Sequence, residues 1–153
     1  MSQINPYEKF LGGQPPEAIL PATPKAIATY LEVIGAERAI VPPVLGKWSA
    51  AEIVFAVRLR QTLAEDNPTI QPFDQDKWAA QYSGIAAAQA LDAFSALRHW
   101  NLRLIQSALP AAAGRAMTHP ERGTMTFQTV VETMAGHDLN HLTQLRHIAA
   151  LTA

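Results

Sequence analysis

His137 and His141 stand four residues apart in the last long segment of the chain, TFQTVVETMAGHDLNHLTQLRHIAA, residues 126–150. On a helix, that spacing sets two side chains about 40° apart around the axis and about 6 Å apart along it. Two neutral imidazoles so placed offer two nitrogen donors side by side, as a transition metal requires. Thr133, Gln144 and Ile148 continue the same face. No glutamate follows His137, so this is not the HExxH pattern of zinc proteases. The plain alternative is a pair of boundary residues, since the chain holds five histidines.

Composition narrows the chemistry. The chain has 153 residues, 48% apolar and 16% charged, with a net charge of −1. That length suits a single domain, 1–153, with a real core. No basic footprint argues for nucleic acid or an anionic membrane. There is no cysteine, which removes disulfides, thiolate zinc sites and a cysteine nucleophile, so a metal must be taken by His, Asp, Glu, backbone or water. The first residues resemble no signal peptide, and no apolar run approaches a membrane span. A cytoplasmic protein is the expectation.

The elements that must carry the pair read as helices. Residues 1–22 are rich in Pro and Gly and predict an extended arm, with Tyr7, Phe10 and Leu11 as its anchors. Thr23-Pro24 predicts the start of a helix through Ile27, Tyr30, Leu31 and Ile34 that ends before Pro42-Pro43. Ser49 and Glu52 fit a capping box at the head of a second helix, with Trp48 a core anchor before it. Ile53, Val54, Phe55, Val57, Leu59 and Leu63 form its apolar side; Arg58 and Arg60 lie at its edge, and an inward arginine there needs a partner. Asn67-Pro68 stops it. Asp74 caps a short helix through Tyr82. A third long helix covers Ala86 to Ala108, its buried stripe formed by Leu91, Phe94, Leu97, Trp100, Leu104 and Ile105. After Pro110, the turn His119-Pro120-Glu121-Arg122-Gly123 leads to Thr126, which caps the last helix. No segment alternates with period two. Four long amphipathic helices predict an all-α four-helix bundle, the architecture that builds metal sites between facing helices.

Three stretches then resemble the DinB-like superfamily, which includes the YfiT-type metal hydrolases and thiol-dependent S-transferases: GKWSAAE at 46–52, FAVRLRQTLAEDNPTIQPFDQDKWA at 55–79, and HPERGTMTFQTVVETMAGHDLNHLTQLRHI at 119–148. The resemblance implies a four-helix bundle with a divalent metal, zinc or nickel, held by three histidines. Two of them match His137 and His141. The third belongs to the second helix, and this chain has no histidine there. Read without gaps, its position falls on Ala56. Read with residues 55–78 in register, which fits better, about ten residues are missing between Trp48 and Phe55, shortening the helix by about 15 Å. His119 is the first candidate replacement, with Glu52 and Glu132 behind it. His99 and His147 fall on the surface side, and Asp138 could orient an imidazole.

Two functions follow. One is a metal-dependent small-molecule enzyme, hydrolase or S-transferase, with any thiol supplied from outside as a low-molecular-weight cofactor and no general base identifiable in the chain. The other is a non-catalytic bundle that binds a small molecule or dimerises. The low charged fraction, together with the resemblance, predicts a homodimer.

Overall fold

The computed structural model describes residues 4–35, 44–82 and 84–152, with side chains from residue 50 onward in the second of these segments. The elements run α1 (Glu8–Leu11), α2 (Pro16–Ile34), α3 (Val44–Ala64), α4 (Gln75–Ala80), α5 (Ala87–Ala108), β1 (Ala116–His119), β2 (Gly123–Thr126) and α6 (Phe127–Thr152). The four long helices close a ring in which α2 packs on α6, α6 on α3, α3 on α5 and α5 on α2. Helices consecutive along the chain, α2 and α3 or α5 and α6, therefore sit across the bundle from each other. All four turn residues toward a shared interior, where a polar cluster can draw on every helix.

The N-terminal stretch is less extended than its Pro and Gly content predicts. It contains α1, and α2 begins at Pro16, seven residues before Thr23. Proline in the first turn has no N–H to lose to the helix. Pro21 and Pro24 lie farther inside α2, where each removes one intrahelical bond, and burial of Ile19, Leu20 and Ile27 holds the helix through them. Thr23 is thus a buried side chain in mid-helix, not a cap. Leu11 packs against the main core, as an anchor should.

The second helix also starts early. Val44 opens α3, so Ser49 lies inside it and does not head it; the Trp48 and Ser49 side chains and the Pro42-Pro43 stop fall outside the described residues. The buried side of α3 includes Glu52, Arg58 and Thr62 beside Val54, Phe55 and Leu59, while Val57 is exposed. Asp74 caps α4 as predicted, its carboxylate accepting from the backbone N–H groups of Asp76 and Lys77.

The third long helix has the predicted extent but a rotated inner face. Phe94, Arg98, Asn101 and Ile105 are its buried residues, and Trp100 is 68% exposed. The hydrophobic count favoured Trp100; two polar residues displace it because partners await them inside.

No strand was expected, yet β1 and β2 form an antiparallel hairpin that pairs Met117 with Met125 and His119 with Gly123. Pro120, Glu121 and Arg122 form its loop, and Gly123 closes it at φ +81, a conformation that favours glycine. Thr126 ends β2 and caps α6, its hydroxyl accepting from the Thr129 N–H. Met117, Met125 and Phe127 are buried and dock the hairpin on the core.

Candidate metal centre

α6 carries His137 and His141 into the bundle interior, with 1% and 5% of their surface exposed. Their Nε2 atoms face each other at 3.1 Å. On its far side, His141 Nδ1 lies 2.9 Å from Gln144 Oε1. An amide oxygen only accepts, so His141 keeps its proton on Nδ1 and turns a bare Nε2 toward His137. Neutral rings then share one proton between the two Nε2 atoms. Two bare Nε2 atoms at this distance would instead suit one metal ion bound about 2 Å from each. Tyr7 and Phe55 stand edge-on to His137, with ring centroids at 5.3 and 5.7 Å, and fence it from two sides.

Behind the pair lies a buried ionic network that the sequence did not announce. Arg98 donates from Nε and Nη2 to the two Glu52 oxygens at 3.0 and 2.7 Å, and from Nη2 to Asp138 Oδ1 at 3.1 Å. Asn101 adds a bond to Glu52 Oε1, and Thr23 donates to Asp138 Oδ2 at 2.8 Å. Arg98, Glu52 and Asp138 are each 1% exposed. Such charges survive burial only when paired and hydrogen-bonded. Burial works to raise the Asp138 carboxyl, but the Arg98 charge and its hydrogen bonds overcome it and hold the group at about 2. Burial likewise works to lower the Arg98 guanidinium, and Asp138 and Glu52 lift it above its usual value. Asp138 Oδ1 is also 4.0 Å from His137 Nδ1, so the network lies directly behind the histidine. The signal in the sequence was Arg98, one turn after Phe94 on an otherwise apolar stripe.

The remaining candidates stay apart from the pair. His119 is buried and lines one cavity with His137, but its Nδ1 accepts the Glu121 N–H at 3.2 Å. That bond stiffens the hairpin loop and leaves the neutral ring's proton on Nε2. Burial, then Arg122 and Arg58, push the His119 pKa down, with Glu121 opposing. Glu52 is consumed by Arg98 and Asn101, and Glu132 accepts from Gln128. Ala56 is buried and has no donor side chain. His99 and His147 are exposed. Among the described residues no three His, Asp or Glu groups are placed to hold a metal ion together. The donor set therefore fits a two-nitrogen anchor for a metal and does not fit three-histidine coordination.

The family model of the DinB superfamily matches residues 19–145. This chain belongs to the DinB superfamily. Two relatives share the description "putative metal-dependent hydrolase". The protein from Oceanobacillus iheyensis is 29% identical over 116 residues, covering 69% of this chain and 66% of its own. The protein from Bacillus mycoides is 25% identical over 138 residues, covering 84% and 78%. Among solved structures, YfiT from Bacillus subtilis, described as "a probable metal-dependent hydrolase with an unusual four-helix bundle topology", superposes with a TM-score of 0.80 at 16% identity, over 95% of this chain and 86% of its own. That superposition shows the bundle fold. No helix among the described residues is long and apolar enough to cross a membrane.

Proposed function

We propose that this DinB-superfamily protein is a small-molecule hydrolase whose divalent metal, zinc or nickel, is anchored by His137 and His141. The observation that carries the reading is the 3.1 Å approach of the two Nε2 atoms, with the His141 proton drawn to Gln144. The descriptions of the two relatives support the reaction class. A bound divalent ion supplies Lewis acidity and a nucleophile of lowered pKa. The chain's own part is to aim the two nitrogens, to hold His137 between Tyr7 and Phe55, and to back it with the Arg98 network. Metal titration of protein prepared without a His tag tests the reading. Micromolar or tighter binding of zinc or nickel supports it, and no binding overturns it.

The second reading, a non-catalytic ligand-binding or dimerising bundle, is favoured by one observation: among the described residues no third His, Asp or Glu joins the pair. An external thiol as acceptor rests on the resemblance alone, and assays with and without added thiol separate transfer from hydrolysis. A homodimer is part of the same proposal, supported by the exposure of Trp100 and Val57. Light scattering at tens of micromolar checks it, and a monomer there removes it.

A further inference from the structure

Arg58 was expected at the edge of its helix. It is instead 7% exposed, its Nε buried without any hydrogen-bond partner. Among the described residues its one hydrogen bond runs from Nη2 to the Gln71 carbonyl at 3.2 Å, and the guanidinium lies 5.6 Å from the centre of the Phe73 ring. Among the described residues it forms no ion pair. It lines a cavity of about 110 Å³ that also holds Arg122, His119, Glu121 and His137. Burial and the neighbouring Arg122 push the Arg58 pKa down to about 10, so the guanidinium stays charged near neutral pH. Against the two arginines the cavity lining sets one carboxylate, Glu121, which is exposed and makes no salt bridge to either among the described residues. A buried guanidinium without a counter-charge is costly and unusual. A ligand that brings its own negative charge removes the cost and uses the fork of donors that arginine offers to oxyanions.

We infer that this cavity is an oxyanion subsite in which Arg58 and Arg122 hold the carboxylate or phosphate group of a small-molecule ligand next to His137. The volume suits one such group and little more, so the rest of the ligand extends out of the cavity. Anion binding here stands on the arginines alone. Only its catalytic meaning, the placing of substrate beside His137, rests on the proposed hydrolase function.

The test uses the full-length, chelator-treated protein, titrated by calorimetry with inorganic phosphate and, separately, with acetate. Saturable millimolar or tighter binding of either anion is expected, weakened at least tenfold in both Arg58→Met and Arg122→Met. The phosphate and acetate arms tell a phosphorylated ligand from a carboxylated one. Without anion, Arg58→Met should unfold at the wild-type temperature or above, because it replaces an unpartnered buried charge with an apolar side chain. A merely structural arginine would lower it. If Arg58→Met does not fold, that result and an unchanged affinity in Arg122→Met both count against the subsite. No saturable binding to the wild-type protein overturns it. Since no metal is present in the test, anion binding without metal binding keeps this subsite and removes the hydrolase reading; the reverse keeps the hydrolase reading and removes the subsite.

Discussion

Thr23 on α2 donates a 2.8 Å hydrogen bond to Asp138 on α6, across 115 residues of chain. It joins the residue beside His137 to a helix that the local sequence starts seven positions too late. Through Asp138 the bond reaches Arg98 on α5 and Glu52 on α3, so one network touches every long helix of the bundle.

Removing the centre of that network should be severe. Arg98→Ala leaves two buried carboxylates without their cation, and loss of one member of a buried ion pair costs about 3–5 kcal/mol. Arg98→Met should recover little, because packing is not what it loses. Urea denaturation measures both, and a loss below 1 kcal/mol for Arg98→Ala would show that the carboxylates find other partners, counted against the tenfold equivalent of about 1.4 kcal/mol.

Acid should weaken the protein through Asp138. Its folded pKa of about 2 lies below the 3.8 usual for an aspartate, so the unfolded chain binds the proton first. The stabilisation is fully present above pH 3.8 and is lost as pH falls from there toward 2. The shift corresponds to about 2 kcal/mol. Urea unfolding at pH 5 and at pH 2.5 should show a drop that is smaller by about that amount in Asp138→Asn, itself less stable at pH 5.

Gly136 is where the N-terminal segment meets α6. A Cβ there would lie 2.6 Å from the Tyr7 carbonyl oxygen and 2.7 Å from Tyr7 Cβ. In a helix, Gly→Ala alone gains about 1 kcal/mol. Here the clash, at about 1–3 kcal/mol, should cancel or exceed that gain and lift Tyr7 off His137. Hydrogen exchange should speed up over residues 4–11 in Gly136→Ala, and unchanged protection there would mean that the segment adjusts without undocking.

The histidines separate by role. His137→Ala and His141→Ala should each weaken zinc binding at least tenfold. His119→Ala should leave zinc affinity unchanged, since its Nδ1 serves the Glu121 N–H. Calorimetric titration of the three variants decides this; a matching loss in His119→Ala would place it on the metal.

The sequence by itself determined the helices with clear local signals and the closeness of His137 to His141. Asp74 and Thr126 announce their caps through side-chain chemistry within three residues. An i,i+4 pair on one helix needs no tertiary contact to come together. The DinB resemblance was likewise carried by contiguous residues. Tertiary structure decided everything that depends on a distant partner. Arg98 and Asn101 face inward in place of Trp100 because Glu52 and Asp138, on other helices, can satisfy them, and a count of hydrophobic residues assigns polar side chains to water. α2 runs through Pro21 and Pro24 because buried Leu20 and Ile27 outweigh the missing backbone bonds. The 119–123 turn becomes a hairpin because Met117 and Met125 find a core to cover, and β1 and β2, four residues each, are too short to show a period. Arg58 keeps an unpartnered Nε in a cavity that His137 also lines only because α3 and the hairpin loop enclose it, a relation that no spacing in the sequence records.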